Sequence, residues 1–474
     1  MKKVDMIIRT GHMYTMSGDG CGYEYGKGVV VDGSKIIDVI DFEAAAGKYI
    51  AEKYIDARDK IVLPGFIDGH MHTGHAVMRG VAQDINYWMM EGMAPFEAAR
   101  SSEAKTAGSR LAIAEAIMSG TTTIGDDSSD IEGSVEFIDK CKIRGNVSVR
   151  VRSALPKPYK AGELYEFSDE MGGQTLGEGL RLYDKYHNRD GGRIKIRFSP
   201  QGADFLPLDL LMKVKQIAKD KNTKLILHLA QGSRETDQMM MRYGRRTIPL
   251  LDEMDFFDED VIGIHLTEAT RDEIQTVVSK GTSMVLCSNS IGLINGKVPP
   301  AVEFIEAGGT VGLGTDQSPG NNGHNMFSEM KATAIYNKIK YQSSTIMPAW
   351  KVLRMATVEG AKALGIDDIT GSIEIGKYAD IILLDCKCPT LAPIYTVPMR
   401  NMIPNIVYAA RGHEVDTVIA HGRVIVEGRI PQTFDMEEIV TKAQSYAYEI
   451  GTRAAPLFNE INGMNAQYMR ENKL

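Results

Sequence analysis

The sequence is poor in cysteine, with five in 474 residues, at positions 21, 141, 287, 386 and 388. An odd, scattered set offers no disulfide framework. Cys386 and Cys388 stand two apart without partners at zinc-finger spacing, so a reduced, cytoplasmic protein is expected. No apolar run approaches 18 residues, which argues against a membrane-spanning helix. The opening MKKVDMIIRTGHMY has two lysines but no apolar stretch of signal length. Basic tracts are missing too. A formal net charge of -8, with both signs mixed along the chain, gives nucleic acid no long-range attraction. No G-x-G-x-x-G follows the first strand, which counts against a dinucleotide site.

What is present is apolar and alternating. Hydrophobic residues make up 43% of the chain, enough for one large core with satellites. Residues 1–60 read as short strands punctuated by glycine (VDMIIRTG, KGVVVDGSKIIDVI), and residues 374–430 repeat the style (KYADIILLD, DTVIAHGRVIVEGR). Each alone is a marginal core, so the two are expected to pair into one small composite β-sandwich. Between them, residues 61–373 alternate apolar strands with helical stretches. Candidate strands are IVLPGFIDGH, TTTIGDD, NVSVRVRSA, RIKIRFSP, KLILHLA, VIGIHL, SMVLCS and TVGLGTD. Eight such units fit an α/β fold of the (β/α)8 TIM-like barrel type; periodicity alone leaves a doubly wound sheet open. Residues 431–474 read as a helical extension, covering a barrel face or reaching a partner subunit.

Several strands end in residues that are costly to bury unpaired. His70 and His72, in PGFIDGHMHTGH, are i and i+2 and share one face of an extended chain. His228 ends LILHLA, His265 ends VIGIHL, and Asp316 ends TVGLGTD. Taken singly, each reads as an ordinary structural residue or loop cap. In a barrel, all these ends meet at one rim. His70, His72, His228 and Asp316 then form a three-nitrogen, one-oxygen set suited to one divalent ion, zinc first, with iron or manganese tolerated. Such an ion activates water and polarises a substrate. His265 is expected outside the ligand set, and Asp316 also as the group that takes the water's proton.

The motifs PGFIDGHMH, LHLA, GIHL and VGLGTD, with ATVEGAKALGIDDITGSIEIGKYADIILLD at 356–385, resemble the metal-dependent amidohydrolase superfamily. VMRGVAQDINYWMMEGMAP at 77–95 is similar to its cytosine/guanine deaminase and triazine-hydrolase (chlorohydrolase-like) branch. The likeness runs to about residue 430. It implies the barrel with its composite sandwich, one zinc or iron on His70, His72, His228 and Asp316, an outer histidine at His265, and a possible homodimer. Binuclear members carry a carboxylated lysine on an earlier strand. Lys195 lies several residues before its strand end and reads as an ordinary charged residue.

The resemblance has gaps. Deaminases of this branch carry H-x-x-E on the third-histidine strand, where the glutamate shuttles a proton from water to a ring nitrogen. This chain reads HLAQ, placing Gln231 there, and an amide cannot exchange a proton as a carboxylate does. Either Glu235 or Glu268 substitutes, or the substrate needs no shuttle and Gln231 orients one of its polar groups. In CSNSIGL, Ser290 matches the relatives' pattern while Ile291 stands at their asparagine position. His324 and Asn322, in DQSPGNNGHNMF, are either substrate contacts or solvated loop residues. The expected activity is metal-dependent hydrolysis of a carbon–nitrogen bond, not a peptide bond, in a small nitrogen heterocycle, with deamination foremost. Cyclic-amide, ring-opening or carbon–halogen hydrolysis is the alternative. A catalytically idle metal-containing binding protein is the reading from another class. Neither nucleic acid nor membrane is an expected partner.

Overall fold

Parallel strands covered on both faces need near-continuous apolar runs, and the middle of the chain supplies eight. The computed structural model describes residues 1–474 except Pro158, Lys160 and Ala161. In it these runs become β1 (Phe66–Met71), β2 (Thr121–Asp127), β3 (Arg144–Arg150), β4 (Ile194–Ser199), β5 (Leu225–Leu229), β6 (Val261–His265), β7 (Ser283–Leu286) and β8 (Val311–Leu313). Each pairs in parallel with the next in chain order. The ring closes where Asp316 N donates to His70 O (2.8 Å) and His72 N donates to Asp316 O (3.0 Å). The architecture is therefore the expected barrel and not a doubly wound open sheet.

Strand alternation divides the core into layers. Leu225, Leu227 and Leu229 of β5 join the large apolar cluster shared with the surrounding helices. Ile226 joins Ile67, Ile262, Ile264 and Val285 in a separate inner cluster, against which Ala361, Leu364 and Ile366 pack.

The first barrel strand begins later than the run IVLPGFIDGH suggests. Its opening residues, 61–64, finish the strand Tyr49–Pro64 of a second, mixed sheet of nine strands. Strands Lys2–Tyr14, Tyr23–Tyr25, Lys27–Asp32, Lys35–Asp41 and Tyr49–Pro64 come from before the barrel. Ile381–Asp385, Val415–Ala420, Arg423–Glu427 and Ile430–Pro431 come from after it. The halves join where Ile381–Asp385 runs antiparallel to Tyr49–Pro64, with Ile381 opposite Pro64 and Asp385 opposite Lys60. Met6, Ile8, Val29 and Val31 from one half bury with Ile381, Leu383 and Ile419 from the other, so neither half closes its core alone.

The tail forms the helix Met436–Ile461, whose Ala443 and Ile450 pack on Val77, Met78, Ala104 and Ala107. Among the described residues no helix is long and apolar enough to cross a membrane.

Candidate metal centre and active site

The barrel delivers five of the expected side chains to one point at the carboxyl ends of its strands. His70 is in β1, His72 one residue beyond it, His228 in β5, His265 at the end of β6, and Asp316 three residues past β8. All five are buried.

Local backbone irregularities aim them. In β1 the pairing register with β2 shifts between Asp68 and Met71. A shift of one residue exchanges the strand's faces, so His70 and His72 share a face while Met71 enters the outer core. In β6, Ile262 and Ile264 face inward, and regular alternation would turn His265 outward. A φ of 73° at His265 breaks the alternation. Asp316 (φ 62°), Ala230 (φ 46°) and Gln201 (φ 58°) occupy the same sparsely populated region. Positive φ at non-glycine residues costs energy, and its concentration at this rim is characteristic of functional sites. β8 must also pass close to β1: a Cβ on Gly314 would lie 2.8 Å from His70 N.

Asp316 Oδ1 is 3.2 Å from His72 Nε2 and 3.7 Å from His70 Nε2, and Oδ2 is 4.0 Å from His265 Nε2. The His228 ring centroid lies 5.0 Å from that of His70 and 5.4 Å from those of His72 and His265. Hydrogen bonds outside the cluster fix two rings: His72 Nδ1 lies 2.7 Å from Asp127 O, and His228 Nδ1 lies 2.6 Å from Gln201 O. Donating there from Nδ1 leaves the His228 Nε2 lone pair for the centre, whereas His72 Nδ1 also has the donor Arg150 Nη2 at 2.6 Å. Arg150 braces the first bond, donating through Nη2 to Asp127 O (2.9 Å) and through Nε to Asp127 Oδ1 (2.9 Å). Ser290 Oγ donates to Asp316 Oδ2.

Burial, reinforced by neighbouring imidazoles, depresses the histidines: His70 falls well below the usual value and His228 to about 3. Burial likewise takes His265 down to about 4, against the pull of Asp316. Burial would raise the Asp316 carboxyl, but the His72 bond and the facing rings outweigh it and hold it well below the carboxylate range. His70, His228 and His265 are thus neutral imidazoles beside an ionised carboxylate.

Such a donor set fits a divalent ion. Nitrogen and oxygen ligands at ~2.1 Å from one ion are themselves ~3.4 Å apart. Ligand atoms of His70, His72 and His228, and of His70, His265 and Asp316, lie within 4.8 Å of one another in two overlapping groups. His70 Nε2 and both His265 ring nitrogens are buried with no hydrogen-bond partner among the described residues.

The other expected residues fall as follows. Gln231, half-buried in the turn after β5, accepts from Arg234 Nη2 through Oε1 (3.3 Å). Glu235 is buried and committed: it accepts from Ala230 N (3.0 Å), Gln231 N (2.8 Å) and Thr247 Oγ1 (2.5 Å). It pins the turn that carries Gln231. Glu235→Ala leaves two buried amides without acceptors, and urea unfolding should show a loss of about 2–4 kcal/mol. Lost activity at unchanged stability would instead mark a proton carrier. Glu268 is held by Lys297 (2.5 Å). Lys195 is the second residue of β4, at the end of the strand away from the rim. Ile291 is fully buried in the helix Ser288–Asn295. His324 is buried, with its ring bonded to Thr315 Oγ1 (2.9 Å) and Ser318 Oγ (2.8 Å), whereas Asn322 is exposed. Asp127, Arg150 and Gln201 were not singled out from the sequence. Their only signal is a polar residue at the end of TTTIGDD, within NVSVRVRSA and just beyond RIKIRFSP.

Comparison with known proteins identifies the family. Residues 61–425 match the model of the amidohydrolase family. The chain is 30% identical over 451 residues to a 5'-deoxyadenosine deaminase of Methanosarcina mazei, covering 95% of this chain and 99% of the relative. A crystal structure of an adenosine deaminase from Xanthomonas campestris with bound zinc superposes at TM-score 0.86 with 26% identity, over 95% of this chain and 99% of the other. An atrazine chlorohydrolase from Arthrobacter aurescens TC1, complexed with zinc, shares the fold at TM-score 0.82 and 22% identity, over 93% and 100% of the two chains. A matching family model across most of the chain and a full-length relative at this identity place the protein in the metal-dependent amidohydrolase family.

Proposed function

We propose that the protein is a metal-dependent aminohydrolase that releases ammonia from the ring of an adenosine-type nucleoside. The observation that carries this reading is the convergence of His70, His72, His228, His265 and Asp316, which are far apart in the chain, on one buried point. The names of the relatives supply the substrate class. His70, His72, His228 and Asp316 would hold a single ion, zinc by its donor set. When bound, that ion lowers the pKa of water and polarises the substrate. Asp316, ionised and beside His265, accepts a proton from the attacking water and passes it to the departing amine. The water oxygen adds to the ring carbon first, the electron pair of the ring carbon–nitrogen double bond moving onto the ring nitrogen; that pair then returns as the bond to the protonated amine breaks, and ammonia leaves. His265, neutral and without a hydrogen-bond partner among the described residues, hydrogen-bonds the attacking oxygen. Five free cysteines support a reducing, cytoplasmic setting.

Gln231 favours one second reading. A side chain without an exchangeable proton suits a leaving group that needs no protonation, such as halide. Ammonia and halide release, measured over purine nucleosides, pterins, pyrimidines and triazines, separates the two. Consumption of substrate without ammonia sinks deamination.

Gln231→Glu tests the position itself. Arg234 beside it would keep the new carboxyl ionised, unable to donate at neutral pH. The expected result is a fall of at least about 10-fold in kcat/KM at pH 7.5, recovering on acidification as the carboxyl gains a proton. An undiminished or raised rate at pH 7.5 would show that the position works as a proton shuttle.

A further inference from the structure

The turns that follow β4 and β5 carry a cluster that the proposed chemistry does not use. Asp204, buried in the short helical turn Ala203–Phe205, is 3.0 Å from Arg234 Nη1. The Arg234 guanidinium lies over the Phe205 ring at 4.7 Å, and its Nη1 donates to Tyr165 Oη (3.3 Å). Tyr165 in turn stacks on Phe205 at 5.3 Å with an interplanar angle of 23°. Burial opposes the Arg234 charge, but Asp204 and Tyr165 outweigh it and keep the group cationic. Ion pair, aromatic face and phenol together fix a planar group that has only donors.

Arg234 also reaches Gln231. A guanidinium carries no acceptor, so the amide must turn its carbonyl oxygen toward Arg234, as the 3.3 Å contact between Nη2 and Oε1 records. The Gln231 NH2 group is then directed elsewhere, and among the described residues it donates to none. A free glutamine would offer either end of its amide to a substrate; this one offers a donor.

We propose that Arg234 is a positioning residue which, held by Asp204 and Phe205, presents the Gln231 NH2 group to the substrate, so that the site selects a heterocycle with an unprotonated ring nitrogen beside the carbon under attack. The proposal rests on the adenosine-type reading above and names the edge of the ring that is recognised. It also accounts for an amide where the family's deaminases carry a carboxylate: the position holds a ring nitrogen by a fixed hydrogen bond and moves no proton.

The test uses metal-loaded protein and two ligands, adenosine and its analogue with C–H in place of the ring nitrogen adjacent to the amino-bearing carbon. Wild-type protein should bind the analogue about 10-fold more weakly, the loss of one hydrogen bond to a fixed donor. In Arg234→Met the ratio should fall to about threefold or less with metal content unchanged. Arg234→Lys, whose ammonium also donates to Oε1, should restore most of it. Gln231→Met leaves the Arg234 cluster intact and should erase the ratio equally, which keeps the test decisive if Arg234→Met does not fold. A ratio preserved in Arg234→Met or in Gln231→Met overturns the proposal. Wild-type protein that binds both rings alike overturns the donor assignment while leaving deamination standing. Wild-type protein that binds neither ring and releases no ammonia overturns the adenosine-type reading, and with it the ring edge named here.

Discussion

Asp316→Asn is expected to lower kcat by at least about 10³-fold and to weaken metal retention. The carboxylate is the one anion among the four ligand candidates. It faces His70, His72 and His265 within 4.0 Å, and Ser290 fixes its second oxygen. Asparagine keeps the size of the side chain and can still accept from Ser290. It removes the negative charge that favours a cation and the proposed base for the water's proton, so two contributions are lost together. Because His72 N and Asp316 N close the barrel through backbone bonds, which the substitution leaves alone, the fold should survive. Steady-state ammonia release with metal analysis checks both effects. Near-normal turnover would remove Asp316 from the chemistry.

His265→Asn is expected to lower kcat by about 10²–10⁴-fold while the protein keeps its metal. The imidazole is fully buried, both nitrogens have no hydrogen-bond partner among the described residues, and its Nε2 is 4.0 Å from Asp316. Geometry alone would let His265 join His70 and Asp316 as a ligand. Its φ of 73° turns it toward the cluster, and the proposed role is that of a group outside the ligand set. Metal content decides. An outer group leaves the metal stoichiometry of His265→Asn equal to wild type, whereas a ligand lowers it, as His228→Asn should.

The barrel was legible because parallel strands announce themselves as short apolar runs, and the site was legible because polar residues close those runs. LILHLA and VIGIHL read as buried strands whose one costly residue calls for a purpose. The strand boundary at β1 was less clear: Ile61–Pro64 and Phe66–Met71 form one apolar stretch, and only tertiary pairing assigns the first part to the second sheet. Composition likewise gives no hint that His265 turns inward through a left-handed backbone, since no glycine marks the position. Arg234 and Glu235 look like solvated charges at the start of a helix in QGSRETD. Their roles depend on Asp204 and Thr247, which are distant in sequence or sit on another element. Asp127 and Gln201 act through backbone carbonyls, which any residue type supplies. The arrangement of the candidate metal cluster is thus written in residue type and spacing, while the parts that orient it are written in contacts.

In the proposed site, His70, His72, His228 and Asp316 hold one ion without which water is not activated. The most direct measurement follows ammonia release from an adenosine-type nucleoside while the metal is removed by chelation and then returned. The expected course is one equivalent of metal in active protein, activity falling in proportion as the ion is withdrawn, and recovery on adding zinc. Release that continues at full rate from metal-free protein would contradict it.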